Sequence, residues 1–91
     1  MILLKTAHLP DGWHMVKPLL LESMVENDGT QIVADDVFDE YGFADELPDA
    51  LRDYGISLTE FYEVVEDGAR EGSAYDVATL AKLREYVRRD V

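Results

Sequence analysis

The sequence predicts a mainly α fold: a compact bundle of four to five short helices carrying a short N-terminal strand or hairpin, with α+β as the alternative class. Two observations lead there. Apolar residues recur at i, i+3, i+4 and i+7 in most of the chain, and the segments that carry them are separated by glycine or proline with capping residues at their starts. A third observation bounds the size. The 91 residues make one small acidic domain, 1–91, and 47% hydrophobic residues supply enough to bury that charge alone does not leave the chain disordered.

Ile2 to Thr6 reads as a short strand, ended by the turn signal Leu9-Pro10-Asp11-Gly12. Pro18 suits the first position of a helix through about Glu26, carrying Leu19, Leu20, Leu21 and Met24 and stopped by Asn27-Asp28-Gly29; a strand and hairpin is the competing reading of this stretch. After Thr30 as N-cap, Ala34, Val37, Phe38 and Tyr41 form an apolar helical stripe that Gly42 would end. Leu47, Ala50, Leu51 and Tyr54 repeat that spacing, with Pro48 near the helix start and Gly55 at its end. Ser57 and Glu60 then have capping-box spacing, and Ile56 with Phe61 the spacing of a hydrophobic staple, so a new helix is expected at Ser57. Its buried face is Leu58, Phe61, Tyr62, Val65 and Ala69, with Phe61 central to the core and Gly72 as its stop. Ser73 caps a last helix through about Arg89 with core positions Val77, Leu80, Leu83 and Val87. Arg84, Arg88 and Arg89 complement its dipole.

Charge is the most distinctive property. From Glu22 to Asp76 there are seventeen Asp/Glu against only Arg52 and Arg70, while both flanks are slightly basic, giving −12 overall. Charge of one sign at this density works against compaction and selects cationic partners. Helix-surface acids three or four apart also repel by roughly 0.2 to 0.5 kcal/mol per pair. Something other than helix stability therefore favours them. The acids assigned to a partner surface are Asp35, Asp36, Asp39, Glu40, Asp45, Glu46, Asp49, Asp53, Glu60, Glu63, Asp67 and Glu71. On helices they would stand ~5 to 6 Å apart in rows approximating a phosphate track.

Other chemistries find little support. Placing Gly29 at the sixth position of an EF-hand loop puts Met24 first and Asp35 twelfth, which fails the ligand pattern. His8 and His14 lack the His-x-x-x-His spacing, and Ser57 and Ser73 read as caps, so neither a catalytic nor a metal site is expected, nor a cofactor. Acids on exposed helical faces lack the pocket that acid/base catalysis needs. Trp13 reads as a lid over a small core. The absence of cysteine, and of any apolar stretch long enough for a signal peptide or a membrane span, gives a cytoplasmic expectation.

The stretch from Gly55 to Val87, with Glu66-Asp67-Gly68 followed by Thr79-Leu80-Ala81-Lys82-Leu83, loosely resembles the latter helices of phage-repressor-type helix-turn-helix domains. There the groove-entering helix supplies donors to phosphates and bases, whereas the counterpart here presents Glu60, Glu63, Glu66 and Asp67. That contradicts direct nucleic-acid binding. The expectation is a non-enzymatic protein that blocks the cationic site of a nucleic-acid-binding partner by mimicry, as phage anti-CRISPR or anti-restriction inhibitors of this size and charge do. Its alternatives are an antitoxin or chaperone of a basic protein, and a salt-adapted housekeeping domain.

Overall fold

The computed structural model describes residues 1–91 and shows an α+β fold, which overturns the helix bundle. Six strands and two helices follow one another as β1 (Ile2–Leu4), a 3-10 turn at Thr6–His8, β2 (Trp13–Met15), β3 (Leu19–Val25), β4 (Gln31–Ala34), β5 (Tyr41–Ala44), α1 (Leu47–Arg70), α2 (Ala74–Tyr86) and β6 (Val87–Arg89). β1, β3, β4 and β5 form an antiparallel sheet in that order, and β2 pairs with β6 in a small second ladder. α1 lies across one face of the larger sheet. Leu4, Leu19, Leu21 and Val33 from the strands meet Ala50, Tyr54, Leu58, Tyr62 and Val65 from α1, and α2 closes the core with Leu80 and Leu83.

Three helical expectations fail for identifiable reasons. The Pro18–Glu26 helix is strand β3, because its apolar run finds partners on both sides. Leu19 and Leu21 register with Leu4 and Ile2, and Ser23 and Met24 with Val33 and Ile32. Non-local pairing of this kind overrides a helical spacing read from one short segment. Its hairpin turns at Glu26–Gly29, where the Gly29 N–H donates to the Glu26 carbonyl at 2.9 Å.

The expected helix over 30–42 is instead β4, a tight connection and β5. Asp35 decides this. Its buried carboxylate accepts the backbone N–H groups of Val37, Phe38 and Glu40 at 2.8, 2.6 and 3.0 Å, and the phenol of Tyr54 donates to it at 2.7 Å. A short side chain that satisfies three local donors offers the backbone a turn in place of a helix. Val37 and Tyr41, expected on a buried stripe, are 42% and 58% exposed. Gly42 is no helix stop. It is buried, and a Cβ there would collide with the Tyr54 backbone nitrogen, so β5 lies directly against the α1 backbone.

The two helices expected on either side of Gly55 are one helix of 24 residues. Pro48 stands in its first turn, as expected. Gly55 costs about 1 kcal/mol relative to alanine inside a helix. It is retained at a close approach, because a Cβ would strike the His8 carbonyl of the 3-10 turn. The Ser57/Glu60 box and Ile56/Phe61 staple therefore lie in mid-helix, where the preceding turn already satisfies the backbone donors. Phe61 is only half-buried, so Phe61→Ala should cost about 1 to 2 kcal/mol, well below the full-burial figure. Ser73 does cap α2, accepting the Asp76 N–H at 3.2 Å, but that helix ends at Tyr86 and Val77 is 53% exposed. Val87 remains a core residue, now as the first position of β6.

Removing the carboxylate at Asp35 leaves a buried phenol and several backbone donors without their partner. Asp35→Ala should cost about 3 to 5 kcal/mol, and Tyr54→Phe about 1 to 2, by chemical denaturation. The double variant should cost less than the sum of the two, because they share one hydrogen bond.

Candidate interaction surface

Continuity through Gly55 changes the geometry of the acids. At 3.6 residues per turn, Asp49, Asp53, Glu60, Glu63 and Asp67 lie within about 40° of one line along α1, and the C-cap Glu71 continues it. That line faces away from the sheet, and five of these residues are exposed, Asp53 being half-buried. From Asp49 to Glu71 the stripe runs about 33 Å at 1.5 Å per residue. The Asp53 carboxylate also reaches β5, where it accepts the Phe43 N–H at 2.9 Å and covers part of the sheet edge.

The loop acids are arranged differently. Asp35 is turned inward and committed to its four hydrogen bonds, so it adds no anion to an outer row. Asp36 and Asp39 are exposed on the rim of an open groove of about 490 Å³ between the β4–β5 loop and α2, whose walls include Phe61, Tyr75, Thr79 and Lys82. Asp39 adopts φ +58°, a left-handed conformation that this tight connection imposes. Glu40 is half-buried, and its carboxyl is held above the ordinary range, first by burial and then by the negative charges of Asp35, Asp39 and Glu60. Loop and helix acids thus converge at Glu40 and Glu60. Burial first, and then the hydrogen bond to Asp35, holds the Tyr54 phenol protonated far above its usual titration range. Asp45 and Glu46 are exposed at the start of α1, Glu46 as its N-cap.

Compensation is uneven. Asp49 pairs with Arg52 and Asp67 with Arg70, each at 2.9 Å, and Glu63 lies 3.7 Å from Arg89. Glu66, off the exposed line, receives both bonds of Arg89 at 2.8 Å and sits 3.8 Å from Arg70 and 3.9 Å from Arg84. Asp36, Asp39, Glu40, Glu60 and Glu71 make no such pair. Arg89 does not serve the α2 dipole as expected. It lies in β6, over the rings of Trp13 and Tyr62 at 4.8 and 5.3 Å, and pins the small β2–β6 ladder to α1. Trp13, edge-on to Tyr62 at 5.0 Å, packs against the core as a lid, in keeping with its sequence reading.

Nowhere do three His, Asp or Glu side chains gather as a metal-binding group, and no helix is long and apolar enough to cross a membrane. The chain matches no family model, no curated protein and no solved structure.

Sequence reasoning missed the solvent face of the sheet, where Leu20, Met24, Tyr41 and Phe43 are all more than half exposed. The period-2 segments Gln31-Ile32-Val33-Ala34 and Tyr41-Gly42-Phe43-Ala44, flanking an Asp-rich connection, carry its signal.

Because the folded state raises the Glu40 pKa, native protein binds the proton more tightly than unfolded chain, so this group's stability contribution falls as pH rises through the carboxylate range. Glu40→Gln should therefore stabilise the fold at neutral pH by on the order of 0.5 kcal/mol after solvent screening. Thermal unfolding should show that gain shrinking as the pH falls through the carboxylate range and gone well below about 4.3, where the wild-type carboxyl is protonated in both states. At the other end of the stripe, Arg89→Ala should cost about 1 to 2 kcal/mol through the lost contact of one guanidinium nitrogen with both Glu66 oxygens and the lost ring contacts. Trp13 is the only tryptophan, so its emission should report that change directly.

Proposed function

We propose that the chain is a non-enzymatic binding protein that occupies the cationic nucleic-acid-binding site of a basic partner protein and blocks it by charge mimicry. The observation carrying this reading is the alignment of Asp49, Asp53, Glu60, Glu63, Asp67 and Glu71 along one outward line of a single helix, with Asp36, Asp39 and Glu40 adding charge beside Glu60. The line is about 33 Å long, close to the 34–36 Å turn of duplex DNA. Its six carboxylates average one per roughly 5 to 6 Å, sparser than the 3.4 Å axial spacing of one DNA strand. A groove lined with Lys and Arg to track a phosphate backbone would meet a rigid row of anions of matching length. Small acidic inhibitors of host defence, of the anti-CRISPR and anti-restriction kind, are the functional class that this size and charge suggest.

The test begins with capture on the immobilised chain at low salt and elution in a salt gradient, followed by competition between the purified chain and labelled DNA or RNA for the recovered protein. Mutually exclusive binding is expected, with affinity falling steeply as salt rises. Single exposed charges carry little, so a whole row must be neutralised. Glu60→Gln, Glu63→Gln and Asp67→Asn together should weaken binding by about tenfold or more, and adding Asp36→Asn and Asp39→Asn should weaken it further. These side chains project from the core and their loss should leave folding intact. Simultaneous binding of the chain and nucleic acid, or unchanged affinity after both rows are neutralised, would overturn mimicry.

A further inference from the structure

α1 covers only one face of the four-stranded sheet. Strand parity places Leu3, Leu20, Met24, Ile32, Tyr41 and Phe43 on the other. Five of the six are between 42% and 60% exposed, and Tyr41 and Phe43 stack on one another with centroids 6.2 Å apart. No segment of the chain lies over this face. A contiguous exposed apolar patch rimmed by polar residues is often an interaction site.

Charge identifies the occupant. Glu22 stands on the same face, in register with Ala34 and Tyr41, and makes no ion pair. The hairpin acids Glu26 and Asp28 and the residues Asp45 and Glu46 border one end of the strands, and Asp36 and Asp39 border the other, all of them exposed. A lysine or arginine within or beside an apolar contact would answer each of these anions. A second copy would set acid against acid at Glu22 and along the rims, and the apolar face is too small to offset that. Four strands 4.8 Å apart and about four residues long project roughly 250 Å², against the roughly 800 Å² per partner of an ordinary stable interface.

We infer that the open sheet face is a second docking surface, for a protein segment that alternates or mixes apolar side chains with lysine and arginine. It lies on the opposite side of the molecule from the acidic line of α1. One partner can bind there without touching that line, so the inference stands independently of mimicry.

A synthetic peptide of alternating leucine and lysine serves as probe, with a leucine–glutamate peptide as its charge-reversed control. On titration into isotopically labelled protein, amide shifts should concentrate at β3, β4 and β5, and the leucine–glutamate peptide should bind at least about tenfold more weakly. Replacing Met24, Tyr41 and Phe43 together by threonine keeps good strand formers on the outer face and should weaken the lysine peptide by about tenfold or more, whereas Glu60→Gln with Glu63→Gln should change it by less than about twofold. Glu22→Lys retains every apolar contact and should by itself weaken the lysine peptide by several fold, which provides a reading if the triple variant does not fold. Shifts confined to the outer line of α1, equal affinity for the two peptides, or dimerisation of the free chain through this face in sedimentation would each overturn the inference.

Discussion

The hydrogen-bond set around Asp35 holds the two layers of the molecule in register. A carboxylate taken out of water is costly unless its oxygens are satisfied, and here three backbone N–H groups and one phenol satisfy them. The backbone donors fix the path from β4 to β5, and the phenol ties that path to the first half of α1. Gly42 can then lie against the α1 backbone where a side chain would not fit. The positions of Asp36, Asp39 and Glu40 follow from the same turn, which holds the first two outward at the end of the sheet and leaves Glu40 half-buried. The loop's share of the electrostatic surface is thus set by a buried carboxylate that never reaches it.

Local signals were legible in proportion to how locally they are satisfied. Ser73 caps its helix with its own hydroxyl, and Leu47, Ala50, Leu51, Tyr54, Leu58, Tyr62 and Val65 face inward or partly inward because their period is a property of one segment. The acids of α1 lie off that face for the same reason. Failures occur where a distant residue makes the decision. Leu19 to Val25 is a strand because β1 and β4 flank it. Residues 35 to 40 turn because Tyr54 completes the shell of Asp35. Gly55 is helical because the His8 carbonyl packs where its side chain would be. Each helical reading weighed a spacing of three or four residues and had no access to a partner nineteen or forty-seven positions away.

The continuous helix makes the acidic surface more ordered than the sequence suggested, and also less evenly charged. Separate helices on either side of Gly55 would have split the row. One helix gives it a single direction and about 33 Å of length. Repulsion along that row is relieved where β6 and the last turn of α2 bring cations across: Arg89 and Arg84 reach Glu63 and Glu66, and Arg70 reaches Asp67 from within α1. The basic C-terminal flank in the sequence is therefore, in large part, an internal counter-charge for the second half of α1.

That pairing has a consequence for how a charged partner is received. Neutralised acids contribute little to the field beyond a Debye length of about 8 Å at physiological ionic strength, so the long-range potential is dominated by the anions that lack a partner. Asp36, Asp39, Glu40 and Glu60 are such a set, and the Glu40 carboxyl is raised first by its burial and then by the charges of Asp35, Asp39 and Glu60. An approaching cationic surface meets such anions at both ends of the sheet, at the β4–β5 loop and at Glu26, Asp28, Asp45 and Glu46, and fewer at the helix end where Arg70 and Arg89 sit. The loop is also where the groove against α2 and the edge of the open sheet face meet. Electrostatic capture at that corner would leave a partner free to settle along the helix or across the sheet. The loop anions border both surfaces, whereas Glu22 belongs to the sheet face and Glu63 and Asp67 to the helix, so charge as well as apolar contact separates the two routes.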